Sequence, residues 1–316
     1  MKKHLIAAVA LILVLSMALA IPAGAAGVED TDNTVAPEAP AEEAEVAEEA
    51  ADADEEAEEA AAETEEDAGP ELRGLRIVVN GIDVDLGIPA MLIDSTTYVP
   101  LRAFSMALGA KSVTWRAETA SAEIDTGKYT VEAYLGGIEI AANGRHFYAP
   151  TGNRLVNGNF MVPIRPIAAA FGADVRWVGE IATVYVTCSG AGCKSGDEFY
   201  DQDNLYWLAH IINAEARGEP FEGKLAVGNV VMNRVRSDYY PNTVYGVVFD
   251  GIQFTPSFDG SIYLDPSYDS WLAAKLVLEG AVVIPECLFF AAAYLNCWAT
   301  YNRDYCTTIG GHTFYY

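Results

Sequence analysis

The sequence predicts a multidomain protein, in which an α+β module built from two similar halves is followed by a mainly α domain. Three observations predict this arrangement. A motif of about a dozen residues returns 63 residues later, a small-residue segment interrupts the chain near residue 190, and the composition beyond it shifts to helical patterns rich in Tyr, Trp and Phe. The residues from 71 to 316 are numerous enough for two domains of ordinary size.

The first 70 residues have a different character. Residues 1–26 combine a short basic start, one apolar run and small residues around Ala23-Gly24-Ala25, which is typical of a cleaved signal peptide. An uncleaved membrane anchor is the alternative. Residues 27–70 hold 19 acidic residues and no Lys or Arg, and so predict a disordered, solvated linker. We therefore expect an exported protein.

The charge balance argues against nucleic acid as a partner. The net charge of −26 comes mostly from the acidic linker, and residues 71–316 keep 26 acidic and 17 basic residues. A mildly acidic folded part without a basic patch does not favour binding to phosphate backbones. We expect no nucleic-acid partner.

The repeated motif reads YVPLRAFSMALGA at 98–110 and MVPIRPIAAAFGA at 161–173. Each copy predicts a strand end, a Pro at a helix start, an amphipathic helix, a Gly cap and a second strand. Trp115 and Trp177 follow the two copies at nearly the same distance. Their equivalent places predict that both pack in the core, with a role as sugar-stacking platforms as the alternative.

Together with the run LRIVVNGIDVDL, these motifs resemble the copper amine oxidase N-terminal-like domain, over residues 71–189. The family name suggests copper, but His146 is the only His between 71 and 190, and a metal centre needs several convergent ligands. We expect a non-catalytic module without metal or cofactor, which serves as a stalk or associates with the cell wall; carbohydrate binding is the alternative.

The segment 190–202 begins with small and polar residues and is predicted to be a linker. Cys188 and Cys193 flank its start and could form a disulfide, which an exported protein permits. Two of the remaining three cysteines could form a second bridge. Free thiols are the alternative for all of them, and the spacing of the cysteines resembles no zinc site.

Beyond the linker, a helix is predicted from Asn204, which would be its N-cap. Leu205, Leu208, Ile211 and Ile212 share one face of that helix, and Glu215 falls inside the same apolar arc. A helical wheel places three polar residues on the opposite side of the helix: His210, Asn213 and Arg217. A carboxylate that points toward the core is costly unless it is paired or functional, so Glu215 is the leading candidate for catalysis.

The other polar residues of this stretch have structural explanations. Glu219 is bracketed by Gly and Pro, which predicts that it lies in a turn after the helix. Glu222 would open the next helix, where the dipole favours an acid. Asn229 and Asn233, four residues apart on that helix, are predicted to satisfy buried backbone groups.

Four linked stretches are similar to the SleB-type cell wall hydrolase domain of spore-cortex-lytic enzymes, over residues 203–316. They are NAEARGEPFEGKLAVGNVVMNRV, PNTVYGVVF, QFTPSFDG and IGGHTFYY. The resemblance implies a lysozyme-like, mainly helical fold that acts as a lytic transglycosylase on the glycan strands of peptidoglycan. Together with the signal-peptide pattern, it leads us to expect a secreted protein associated with the cell wall or the spore, and we expect no cofactor.

The same resemblance assigns site residues. The catalytic glutamate of the family is the first Glu of its EARGE motif, which corresponds to Glu215. One carboxyl group suffices, because the 6-hydroxyl of the muramic acid replaces water as the attacking group, so Glu215 would act first as acid and then as base. Four residues are expected to contact substrate: Gln253, Phe254, Phe290 and His312. A purely core role for Phe254 and Phe290, and a structural role for His312, are the alternatives. Two residues are expected to support the turn after the catalytic helix: Arg217 and Glu219. Gly311 departs from the family pattern, which leaves the contacts of that loop open.

Two alternatives stay open at this point. The first is a true glycoside hydrolase of the same glycan, in which Glu215 is the acid and Glu219 or Asp259 activates water. The second is a non-catalytic protein that only binds the wall. The sequence does not decide between spore cortex and vegetative peptidoglycan as the substrate.

Overall fold

The computed structural model describes residues 75–251 and 253–316. The expected signal peptide (1–26) and acidic linker (27–70) lie outside the described residues. No helix in the described part of the chain is both long and apolar enough to cross a membrane.

The first module is rich in β structure. Its first half contains β1 (Arg76–Val79), β2 (Ile82–Asp83), β3 (Met91–Ile93), β4 (Thr96–Pro100), α1 (Leu101–Ala107), β5 (Ser112–Arg116), β6 (Ser121–Asp125) and β7 (Thr130–Tyr134). Its second half contains β8 (Glu139–Ala142), β9 (Arg145–Tyr148), β10 (Arg154–Val156), β11 (Asn159–Pro163), α2 (Ile164–Ala170), β12 (Ala173–Val178) and β13 (Thr183–Cys188). Two short α-helices and one 3-10 turn (Gly179–Ile181) therefore accompany thirteen strands among the described residues of this module.

The strands of the first module form three sheets, with orders β12-β13-β1-β2, β10-β11-β4-β3 and β5-β6-β7-β8-β9. The first described strand, β1, pairs in parallel with β13, the last strand of the module, so the two ends of the module lie side by side. All other pairs are antiparallel, and Asn-Gly turns with positive φ at both residues connect several of them.

The two copies of the sequence motif form matching elements. Each has a strand ending in Pro, a seven-residue helix, and a Gly with positive φ before the next strand. Strands β4 and β11 lie side by side and antiparallel, with Val99 opposite Val162. The two equivalent valines thus face each other at the centre of one sheet.

The expectation that Trp115 and Trp177 are core residues is wrong. Their side chains are 45% and 44% exposed, respectively. Trp115 lies on β5 and Trp177 on β12, and each of these strands is at the edge of its sheet. An edge strand has a neighbour on one side only, and both rings extend past it to the surface.

The second module is mainly helical. Its elements are α3 (Gly196–Phe199), α4 (Gln202–Ala216), α5 (Phe221–Arg236), α6 (Val244–Val248), α7 (Pro256–Asp259), α8 (Tyr268–Leu278), β14 (Phe289–Ala292), α9 (Trp298–Asn302), β15 (Tyr305–Ile309) and β16 (His312–Tyr315). Helices α4, α5 and α8 pack against one another around a core of Leu, Ile and Val side chains. The three strands form a small antiparallel sheet in the order β14-β16-β15, which contacts α5.

Helix α4 differs from the sequence prediction in two ways. Its N-cap is Asp201, whose carboxylate accepts a hydrogen bond from the Asn204 N–H; the Asn204 side chain instead accepts from the Val244 N–H. His210 and Asn213, predicted to lie on the exposed side, are buried. Because α5, α6 and α8 surround the helix, both polar side chains are enclosed and find partners in the segment 262–270.

The segment after β13 packs against the first module. The Gly196 N–H donates to the Asn143 carbonyl, and Cys193 is buried. All five cysteines, which lie within the described residues, are free thiols. The suggested Cys188–Cys193 disulfide is therefore not formed. The Cys188 thiol faces the Leu108 and Phe171 carbonyls, whereas the Cys193 thiol faces the Ala142 carbonyl.

A buried ion pair joins the two modules. Arg145 on β9 donates two hydrogen bonds, of 2.7 and 2.6 Å, to the Glu279 carboxylate just after α8. The Tyr200 hydroxyl donates a third, of 2.9 Å, to the same carboxylate. The Arg145 guanidinium also lies over the ring of Phe199. The two modules are thus tied through charges withdrawn from solvent.

Candidate active site

Glu215 lies in the last turn of α4 and is only partly exposed. Unlike His210 and Asn213 on the same helix, it has no hydrogen-bond partner among the residues that the structure describes. Its carboxyl group is therefore partly withdrawn from water and lacks the protein donors that normally accompany a buried carboxylate. This separates Glu215 from the other polar residues of α4 more clearly than its position on the helical wheel does.

The surroundings of Glu215 favour its protonated form. Burial raises its pKa, the negative charge of Asp259 raises it further, and the positive charge of Arg234 opposes both, with a resulting pKa of about 7. A carboxyl group that titrates near neutrality can both donate and accept a proton under physiological conditions. The chemistry that this position suits is general acid–base catalysis.

Arg234 on α5 is a site residue that the sequence analysis missed. It is only 4% exposed, its Nε donates to the Leu288 carbonyl at 2.8 Å, and its guanidinium lies 5.0 Å from the ring centre of Phe254. Its Nη1 is buried without a partner in the described structure. A single Arg in a helical pattern normally indicates a solvated face, so the sequence carried no signal for this burial.

Glu219 occupies the turn after α4, as predicted, and its carboxylate accepts a 2.7 Å hydrogen bond from the Gly311 N–H. Gly310 has φ +56°, and a Cβ at this position would collide with the Glu219 carboxylate; one at Gly311 would lie 2.8 Å from Oε1. The departure of Gly311 from the family pattern therefore coincides with a place where the carboxylate comes close to the loop backbone.

The turn is held by a lysine rather than by Arg217. Lys224 is 4% exposed, and its Nζ donates to the carbonyls of Arg217 and Glu219 at 3.2 and 2.5 Å. The Arg217 side chain is exposed and makes no hydrogen bond within the described residues. The supporting role expected of Arg217 is thus carried out by its backbone carbonyl.

His312 and Phe290 face each other at the start of β16 and on β14. Their ring centres are 5.2 Å apart and nearly perpendicular. Burial lowers the pKa of His312, the charge of Glu219 partly offsets this, and its Nδ1 is buried without a partner in the described structure. A neutral imidazole beside Glu219 suits the positioning of a ligand better than it suits service as a base.

Gln253 and Phe254, the first two residues of the QFTPSFDG stretch, differ in exposure. Gln253 is exposed, whereas Phe254 is only 2% exposed and packs against Phe290 and Arg234. In this conformation the Phe254 ring is not available to a ligand, and its role is to pack against the side chains of the site. Phe258 and Tyr263, which flank Asp259, are exposed aromatic side chains that the sequence analysis did not single out.

Asp259 ends α7 and is exposed, and its carboxylate accepts hydrogen bonds from the Ser261 hydroxyl and N–H. These bonds lower its pKa. Asp259 is therefore a stable anion whose charge acts on Glu215. Glu215 and Asp259 are two nearby carboxyl groups whose surroundings move their pKa values in opposite directions, an arrangement typical of glycan-cleaving sites.

Comparison with known families gives two matches. Residues 218–315 match the profile described as Cell Wall Hydrolase. Residues 78–186 match the profile of the Copper amine oxidase N-terminal domain. The first match begins just after Glu215, so it does not itself include that residue.

Three individual proteins are similar to part of the chain. The spore cortex-lytic enzyme of Bacillus subtilis (strain 168) is 35% identical over 91 residues, which cover 29% of this chain and 30% of that protein. That of Bacillus cereus (strain ATCC 14579) is 46% identical over 80 residues, which cover 25% of this chain and 30% of that protein. The solved catalytic domain of the germination-specific lytic transglycosylase SleB from Bacillus anthracis is 33% identical, with 37% of this chain and 97% of that chain covered and a TM-score of 0.35.

The match with these curated relatives thus spans less than a third of their length. The two profiles together nevertheless cover most of the described residues, in the order in which the two modules occur. Residues 218–315 belong to the cell wall hydrolase family, and residues 78–186 belong to the copper amine oxidase N-terminal domain family.

Proposed function

We propose that this chain cleaves the glycan strands of peptidoglycan as a lytic transglycosylase, with Glu215 as its single general acid and base. The observation that carries the proposal is the half-buried carboxyl group of Glu215, which has a pKa of about 7 and no hydrogen-bond partner among the described residues. The names of the similar spore cortex-lytic enzymes support peptidoglycan as the substrate.

The reaction needs one proton carrier. Protonated Glu215 donates its proton to the glycosidic oxygen that follows N-acetylmuramic acid, and the C–O bond breaks as that oxygen leaves as a hydroxyl group. The 6-hydroxyl of the same muramic acid attacks the anomeric carbon and gives its proton to the Glu215 carboxylate. The product is an anhydro sugar, no water is consumed, and Glu215 returns to its starting state.

Arg234 and Glu219 have separate tasks in this scheme. Arg234 is a buried cation whose charge stabilises the Glu215 carboxylate in the interval between the two proton transfers. Glu219 is hydrogen-bonded to the Gly311 N–H and fixes the loop that carries His312. Gln253, Phe290 and His312 are assigned to substrate contact.

Mass spectrometry of the products tests the reaction. Purified peptidoglycan digested by the full chain is expected to release muropeptides with anhydro ends. Glu215→Gln is expected to lower turnover by at least 10³-fold, roughly the scale of losing a catalytic acid. Glu222→Gln, which removes an exposed carboxylate from the same stretch, serves as the matched control. Turnover by Glu215→Gln near that of the parent protein would disprove the role of Glu215.

A true hydrolase is the second candidate, because Asp259 is an exposed carboxylate close enough to raise the pKa of Glu215. In that case Asp259 activates water, and the products carry reducing ends instead of anhydro ends. A non-catalytic wall-binding protein would release neither product.

We further propose a lysozyme-like fold for the helical module and an exported protein that acts at the cell wall or the spore. Digestion of spore cortex and vegetative sacculi side by side, with equal enzyme, identifies the preferred substrate. The first module is assigned to wall association.

A further inference from the structure

The first module has two surface grooves, each centred on one of the exposed tryptophans. The Trp115 groove has a volume of about 910 Å³ and the Trp177 groove one of about 450 Å³. Both volumes fall within the range of roughly 300–1,000 Å³ that is usual for small-molecule and cofactor sites. Neither groove contains a residue of the candidate active site.

The two grooves are built from equivalent residues. Every residue that lines the Trp177 groove has a counterpart 62 or 63 positions away that lines the Trp115 groove. Arg165 corresponds in this way to Arg102. The residues opposite the two tryptophans across their strand pairs, Val184 and Ala122, also correspond. The same concave shape therefore occurs twice on one module.

The chemistry of the grooves is shared as well. Each presents an indole ring that is nearly half exposed, one exposed arginine and several apolar side chains. Neither groove is lined by an Asp or a Glu. Solvent-exposed Trp is costly, and the presence of one at both equivalent positions points to a ligand rather than to packing.

We propose that the two grooves bind the glycan strand of peptidoglycan, each at one sugar unit that carries an acidic substituent. The C–H face of a pyranose ring packs on an indole ring, and the indole N–H can donate to a hydroxyl or acetamido oxygen. The arginine faces the lactyl or stem-peptide carboxylate. A polymer with a repeating unit suits a module with two equivalent sites, because the second contact follows at high local concentration.

The Trp177 groove adjoins the helical module. Tyr148 lines this groove and packs against the helical core. Burial raises the pKa of Tyr148, and the nearby charge of Glu222 raises it further. The groove thus opens beside the start of α5. The choice of peptidoglycan glycan as the ligand rests on the proposed function, in which the helical module cleaves the polymer that the first module binds.

Co-sedimentation with purified sacculi tests the proposal. The full chain carries Glu215→Gln throughout, so that the sacculi are not degraded during the measurement. Trp115→Ala and Trp177→Ala are each expected to weaken binding roughly tenfold, and the double variant by ~100-fold or more. Ile82→Ala, which removes an exposed apolar side chain from the same module outside both grooves, should leave binding unchanged.

Three outcomes would overturn the proposal. One is binding by the double variant, with an unchanged melting temperature, as tight as that of the parent. Another is binding that disappears when the sacculi are stripped of teichoic acid, which would identify a polyanion as the ligand. The third is equal loss with Ile82→Ala. The cleavage of short soluble glycan chains by the double variant with Glu215 intact is measured separately. If the Glu215→Gln chain binds sacculi but the chain with Glu215 and both tryptophans intact leaves these short chains uncleaved, the proposed function alone is contradicted.

Discussion

The Glu219 carboxylate and the Gly311 N–H are joined by a 2.7 Å hydrogen bond that ties the end of the catalytic-candidate helix to the final hairpin. Gly310→Ala tests this contact, because the new Cβ would collide with that carboxylate at a residue with φ +56°. Backbone strain at positive φ and the collision with the carboxylate together should lower the free energy of unfolding by about 2–4 kcal/mol. Urea unfolding measures this decrease.

Gly251→Ala is the matched control for this variant. Gly251 has a similar φ, +61°, but its added Cβ would meet no atom within 4 Å. The control should therefore show the backbone strain alone, about 1 kcal/mol. Equal destabilisation by the two variants would mean that the contact with Glu219 contributes nothing.

Glu215→Gln is expected to stabilise the protein at alkaline pH. The pKa of Glu215 is about 7 in the folded chain, against an ordinary value of 4.5. Between these values the unfolded chain loses its proton first, so stability falls as the pH rises and stays low above pH 7. The Gln side chain of the variant has no proton to lose, so the variant lacks this destabilisation. Its free energy of unfolding should exceed that of the parent by about 3 kcal/mol at pH 8 and equal it at pH 4. Urea unfolding at both pH values measures this, with Glu222→Gln as the control; a constant difference between parent and variant would contradict the assigned pKa.

Asp259→Asn is expected to shift the pH dependence of turnover. The negative charge of Asp259 raises the pKa of Glu215, so its removal lowers that pKa, and the alkaline limb of the profile moves to lower pH. Turnover at acidic pH should be retained. Asp238→Asn, an exposed carboxylate elsewhere, should leave the profile in place. A loss of 10²-fold or more at every pH would instead identify Asp259 as the base of a hydrolase.

Removal of either partner of the Arg145–Glu279 ion pair is expected to destabilise the protein strongly, because the side chains are only 12% and 5% exposed. Glu279→Gln or Arg145→Met leaves one charge buried and should cost about 3–5 kcal/mol. The Arg76–Asp83 pair, 55% and 54% exposed, is the matched contrast and should give a coupling below about 1 kcal/mol. Double-mutant cycles measure both pairs, and similar small couplings would show that burial does not strengthen this contact.

The sequence predicted some features of the site because they depend on local pattern. The end of α4 before Glu219 and the start of the next helix before Glu222 follow from Gly and Pro, and both are confirmed. Asn229 and Asn233 do bind backbone carbonyls, also as predicted. The prediction that Trp115 and Trp177 pack in the core is wrong, because equivalent places in two copies of a motif do not say whether both side chains lie in the core or at the surface.

Other features depend on packing between distant elements and left no local signal. Helix α4 is enclosed by three helices, so the burial of His210 could not be read from a pattern that assumes one exposed face. Arg234 is buried because its guanidinium reaches the Leu288 carbonyl, 54 residues later. The charge of Asp259 acts on Glu215 from a separate short helix. These long-range contacts determine the pKa of the candidate acid.

The polar side chains of α5 have a consequence for how this domain can change. Asn229 bonds the Ala281 carbonyl and the Val283 N–H, Asn233 bonds the Cys287 carbonyl, and Arg234 bonds the Leu288 carbonyl. All of these contacts are with backbone atoms of the segment 281–288. The course of the chain is therefore specified through its backbone, and the exposed side chains of the segment, such as Val282 and Glu286, remain free to vary. Evolution, or protein engineering, can alter the sequence that leads into β14 and retain its position beside the site.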